Sequence, residues 1–62
     1  MITLAEIMEI AETVLRQRST FALFEMRQVL HTEGHAPEHT HRLHAINEEL
    51  RTRDALPPRG AQ

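Results

Sequence analysis

The chain has 62 residues, no cysteine, and seven basic residues, all arginine, against nine acidic ones, for a formal net charge of −2. One domain of this size buries only about 60% of the surface that its unfolded form exposes. With disulfides and thiolate metal sites excluded, regular packing, a histidine–carboxylate metal site or a partner subunit has to supplement the core. No apolar run approaches the roughly 20 residues of a bilayer span, and no basic stretch precedes an apolar segment as in a signal peptide, so the expected location is cytoplasmic.

The first helix is predicted over 3–18. Thr3-Leu4-Ala5-Glu6 matches a capping box with Thr3 as N-cap, and Ile2 and Ile7 occupy the two positions of a hydrophobic staple. At about 100° per residue, Leu4, Ile7, Met8, Ala11, Val14 and Leu15 share one stripe, with Glu6, Glu9 and Thr13 opposite. Glu12 and Arg16 are spaced as an i,i+4 pair.

Ser19-Thr20 supplies the N-cap of a second helix over 20–33, and Gly34 its stop. Ala22, Leu23, Met26, Val29 and Leu30 form its main apolar face, while Phe21 and Phe24 point to a side shared with Gln28 and His31. Pro37 and Glu38 suit the first turn of a third helix over 37–54, with Leu43, Ile46 and Leu50 as its stripe and His39 at the upper end of that stripe. Glu38–Arg42, His44–Glu48 and Glu49–Arg53 are spaced as i,i+4 pairs on its polar surface. Pro57-Pro58-Arg59-Gly60 ends any helix. No strand and no internal repeat is indicated. The expected architecture is all-α: one compact three-helix domain over 1–56, followed by a flexible tail at 57–62.

All five histidines fall between His31 and His44. His41, His44 and Glu48, at i, i+3 and i+7, share one face of the third helix and are candidate metal ligands, with His35 a fourth. A solvated helix face with no closed, hydrogen-bonded surroundings accounts for them without a metal, so neither metal nor cofactor is expected. His39 reads as a partly buried histidine that hydrogen-bonds near the inter-helix turn. His31 stands in the last turn of the second helix, where a protonated imidazole favours the dipole. The hydroxyls of Ser19 and Thr20 are explained by capping, the glutamates are scattered at helical spacing, and three short helices leave little room for a substrate pocket. Neither enzymatic activity nor a small-molecule substrate is expected.

Two features indicate a macromolecular surface. Phe21 and Phe24 are the only aromatic residues, with Arg27 one turn beyond Phe24, and aromatic residues beside arginine are typical interface anchors. The competing reading is that a middle helix shows a wide apolar surface because it packs on both neighbours.

The second feature is the helix pair itself. Phe21-x-x-x-Glu25-x-x-x-Val29-Leu30, then Ala36-Pro37, Thr40-His41-Arg42 and Leu43-x-x-Ile46, resembles helix-turn-helix and winged-helix transcription regulators over residues 21–56. That resemblance implies a third helix entering the major groove with Thr40, His41, Arg42 and His44, and phosphate contacts from Arg51 and Arg53. The chain departs from the family pattern in its longer turn and in having no wing hairpin. Residues 1–33 carry a net −2 and residues 34–62 a net of zero. DNA binding would therefore require a dimer, because counterion release needs several cationic contacts.

The sequence thus favours a small non-enzymatic regulator of the inhibitor or antiactivator type, working in transcription control. It would bind another protein through Phe21, Phe24 and Arg27, and a homodimer is compatible with it. A dimeric helix-turn-helix DNA-binding regulator is the alternative.

Overall fold

The computed structural model describes residues 2–58 and Gly60. The fold is all-α: helix α1 (Leu4–Glu9), a 3₁₀ helix (Glu12–Gln17), α2 (Thr20–Glu33) and α3 (Pro37–Thr52). Among the described residues there is no strand, and no helix is long and apolar enough to cross a membrane.

The caps form where their sequences call for them. The Glu6 amide donates to Thr3 Oγ1 at 3.2 Å, and the Thr3 hydroxyl donates to the Glu6 carboxylate at 3.1 Å. The Ala22 amide donates to Ser19 Oγ at 3.1 Å. The Glu6 and Ala22 amides are main-chain groups that a helix end leaves without a partner, whereas the Thr3–Glu6 hydroxyl contact joins two side chains.

The expected single helix over 3–18 is in fact two. The chain turns extended at Ile10 and Ala11 (ψ 125° and 140°) and resumes as a 3₁₀ helix. In a continuous helix Ala11 would lie on the buried stripe and Ile10 outside it. With the break, Ile10 packs on the core and Ala11 is exposed, which exchanges a methyl for a larger apolar side chain in the interior. The carbonyl freed at Ile10 accepts a hydrogen bond from the Arg42 guanidinium.

Ile7, Leu15, Leu23, Met26, Leu30, Ile46 and Leu50 form one buried cluster to which every helix contributes. Ile2, Met8, Phe24, Val29 and Leu43 pack on it half-buried. Helix α3 stops two residues before the expected 54, in a Schellman turn. The Asp54 amide donates to the Arg51 carbonyl at 3.0 Å, the Ala55 amide donates to the Leu50 carbonyl at 2.8 Å, and Asp54 takes a left-handed φ of 60°. Ala55 and Leu56 then fold back against the core. Of the expected tail at 57–62, residues 59, 61 and 62 lie outside the described residues.

Arg53 fastens the end of α3 to the first half of the chain. Its Nε donates to Glu49 at 2.9 Å, its Nη1 to Thr20 Oγ1 at 3.2 Å, and its Nη2 to the carbonyls of Leu15 at 3.4 Å and Arg16 at 3.0 Å. One planar fork thus closes the C-terminal end of the 3₁₀ helix and the N-terminal end of α2.

Candidate functional site

Helix α2 places the three anchor candidates in different settings. Phe21 is 74% exposed and is the one large apolar side chain exposed among the described residues. Phe24, one turn on, is half-buried against the core cluster. The Arg27 Nε donates to Asn47 Oδ1 of α3 at 2.9 Å, so this guanidinium is held in the α2–α3 seam. Phe21 therefore stands apart from Phe24 and Arg27, whose side chains serve packing between helices.

The six residues implied by the helix-turn-helix resemblance also divide. Thr40, His41 and His44 are exposed on α3. Arg42 and Arg53 reach inward to main-chain carbonyls of the first half of the chain. Arg51 pairs with Glu48 at 3.3 Å and donates to the Pro57 carbonyl at 3.3 Å. Of the expected i,i+4 pairs, Glu49–Arg53 forms at 2.9 Å, whereas the Arg42 guanidinium goes to Ile10 and Glu12 lies 3.9 Å from His41.

The metal candidates His41, His44 and Glu48 line an open groove between the 3₁₀ helix and α3 with a volume of about 520 Å³. Among the described residues, no three histidine or acidic side chains are placed to hold one ion. His41 and Glu12, which face each other across the groove, keep 80% and 61% side-chain exposure, so its polar walls stay in water. This is unlike an enclosing ligand site, which buries most of what it binds.

His39 accepts the Ala36 amide at Nδ1 over 3.2 Å, the turn-stabilising contact that its half-buried position at the head of α3 suggests. His31 and His35 are exposed.

A second groove lies between α1 and α2, lined by Ile2, Glu6, Ile10, Arg18, Ala22 and Met26, with a volume of about 220 Å³. Periodicity did not indicate it, because it depends on the break at Ile10, and no local pattern signals that break.

Comparison with protein-family models, curated proteins and solved structures gave no match for this chain.

Proposed function

We propose that this protein is a small non-enzymatic regulator that acts by binding another protein, in the manner of an inhibitor or antiactivator in transcription control, with Phe21 as its anchor. The observation that carries the reading is the 74% exposure of Phe21 when the other large apolar side chains among the described residues are buried or half-buried. An aromatic ring brings a large apolar area to an interface at little cost in side-chain entropy, which is why such residues dominate binding energy. Glu25 and Gln28, exposed on the same side of α2, would form its polar rim. The acidic residues Glu6 and Glu9 favour a partner with a basic surface. A cytoplasmic setting suits a chain without cysteine.

The alternative is a dimeric helix-turn-helix DNA-binding regulator, and it draws on the exposure of Thr40, His41 and His44 at the start of α3. Against it weigh the net charge of −2 and the commitment of Arg42 and Arg53 to internal carbonyls, which leaves little cationic surface to displace counterions.

The test uses Phe21→Asp, because Phe24→Asp would place a charge against the core. Phe21→Asp is expected to keep the helical circular dichroism spectrum and to abolish capture of the partner protein, while a Thr40→Ala, His41→Ala, His44→Ala triple variant retains it. In a gel shift at low salt, where electrostatic association is strongest, the wild-type chain is expected to shift no duplex. A low-salt shift that the triple variant loses would transfer the function to the DNA reading.

A further inference from the structure

We propose that Ile10 and Ala11 form a hinge latched by Arg42, across which α1 and the 3₁₀ helix interconvert between the broken form and one continuous helix. The switch lies in the first half of the chain and does not depend on Phe21 acting as an anchor.

One acceptor has two claimants. In the broken form the Ile10 carbonyl accepts the Arg42 guanidinium, and the Val14 amide donates to the Ala11 carbonyl at 2.9 Å. In an α-helix the Val14 amide donates to the carbonyl four residues earlier, which is that of Ile10. Arg42 thus draws towards α3 the oxygen on which the Val14 amide would close the next helical turn. Each crossing between the forms frees that amide from both carbonyls.

The chain supports both forms. The stripe of Leu4, Ile7, Met8, Ala11, Val14 and Leu15 fits an unbroken helix, whereas the break packs Ile10 on the core in place of Ala11. The 3₁₀ helix weighs against the break. It runs for six residues, whereas such helices rarely exceed about 3–4 because their hydrogen bonds are poorer. A 3₁₀ stretch inside a helical pattern often marks a hinge. A released Arg42 has Glu38, one turn back on α3, as its alternative partner.

The fixed points decide which part moves. Arg53 holds the carbonyls of Leu15 at 3.4 Å and Arg16 at 3.0 Å. Both carbonyls fall in the last turn of either form, where no intrahelical donor reaches them, so this end stays in place. Straightening therefore swings α1, which packs on α2. The swing takes Ile7 and Ile10 off the core, so the broken form remains the major one. Helix α1 is thus a hinged lid over Ala22 and Met26 of α2, which line the groove between the two helices.

NMR relaxation dispersion on the intact chain, which reads microsecond-to-millisecond exchange, tests the proposal. The wild type is expected to show exchange at Ile10, Ala11 and Val14, with a minor state whose Cα shifts at Ile10 and Ala11 are helical. Arg42→Ala is expected to raise the minor population by at least about tenfold, the effect of losing one hydrogen bond to a charged group. Ala11→Pro is expected to abolish the exchange and keep the fold. Ala11 has a φ of −63° and Ile10 a ψ of 125°, both suited to proline at position 11, and the Ala11 amide donates no hydrogen bond among the described residues. Inside a continuous helix the same proline would lose the bond to the Ile7 carbonyl and clash with it. Circular dichroism establishes that the variants fold, and Ala11→Pro, which removes no contact of the broken form, remains decisive even if Arg42→Ala unfolds. Flat profiles at these residues in the wild type or in a folded Arg42→Ala would overturn the proposal. Minor-state shifts of random-coil type would also overturn it, because they mark fraying of α1 rather than straightening. Exchange that persists in Ala11→Pro would do the same.

Discussion

The Arg53 guanidinium lies 3.0 Å from the main-chain carbonyl of Arg16, 37 residues earlier in the chain. This contact, with those to Leu15, Thr20 and Glu49, ties the end of α3 to the junction between the 3₁₀ helix and α2. Hydrogen bonds to charged groups contribute about 1.5–3 kcal/mol. Arg53→Ala should therefore lower unfolding stability by about 2 kcal/mol in urea denaturation. Arg53→Lys should recover only part of the loss, because a single ammonium cannot span acceptors arranged for a planar fork. A loss for Arg53→Ala below about 0.5 kcal/mol would mean that water replaces the guanidinium at these carbonyls, as at many surface pairs.

Arg42 holds the other break in the first half of the chain. Its bond to the Ile10 carbonyl fixes the point where α1 ends and the extended residues begin. Arg42→Ala should leave that carbonyl to solvent and loosen the connection. Native-state hydrogen exchange should then show faster exchange at the Val14 amide, which donates to the Ala11 carbonyl at 2.9 Å, with little change at the Leu23 amide in α2. A variant that keeps wild-type exchange at Val14 but loses an affinity for duplex DNA that the wild type has would instead identify Arg42 as a surface cation.

These two arginines also mark where sequence reasoning stops. Caps and boundaries set by neighbours in the chain were legible: Thr3 with Glu6, Ser19 with Ala22, and the span of α2 follow from residues three or four apart. The apolar stripes correctly placed Ile7, Leu15, Leu23, Met26, Leu30, Ile46 and Leu50 inside. The break at Ile10 was not legible, because Leu4, Ile7, Met8, Ala11, Val14 and Leu15 suit an unbroken helix equally well. What tips the balance is a carbonyl acceptor used by an arginine 32 residues away. For the same reason Arg42 reads in sequence as a major-groove contact and Arg53 as a phosphate contact: an arginine that caps an internal helix end and one that faces solvent have the same local spacing. Asn47, which receives Arg27 across the α2–α3 seam, carries no sequence signal at all. At the candidate site, the pattern placed Phe21 and Phe24 together, off the main face. Only the packing of α3 against α2 separates an exposed ring from a half-buried one.

Asp54 offers a stabilising substitution. Its φ of 60° lies in the left-handed region, where a side chain costs about 1–2 kcal/mol and glycine is nearly free of strain. Glycine loses more conformational entropy on folding, which offsets part of that gain. Asp54→Gly should therefore raise stability by about 0.5–1 kcal/mol and leave the Schellman bonds from Asp54 and Ala55 in place. Thermal denaturation followed at 222 nm reads the shift. A fall in midpoint would show that the Asp54 carboxylate makes a contribution larger than its backbone strain.

Gly34 is constrained for a different reason. Its backbone, with φ −89° and ψ 112°, is open to any residue, so left-handed geometry is not what requires glycine. The constraint is space: a Cβ would stand 2.8 Å from the Leu30 carbonyl oxygen and 2.9 Å from the His39 Cβ. The carbonyl belongs to the last turn of α2 and accepts the Gly34 amide, while His39 accepts the Ala36 amide at the head of α3. Gly34→Ala must therefore push the end of α2 and the start of α3 apart, at about 1–3 kcal/mol, as overpacking does elsewhere. Because that movement also strains the His39–Ala36 bond, the two positions should couple. His39→Ala should destabilise the Gly34→Ala background by at least about 0.5 kcal/mol less than it destabilises the wild type. A double-mutant cycle in urea measures this, and strict additivity would show that the α2–α3 turn relaxes around the new methyl without disturbing His39.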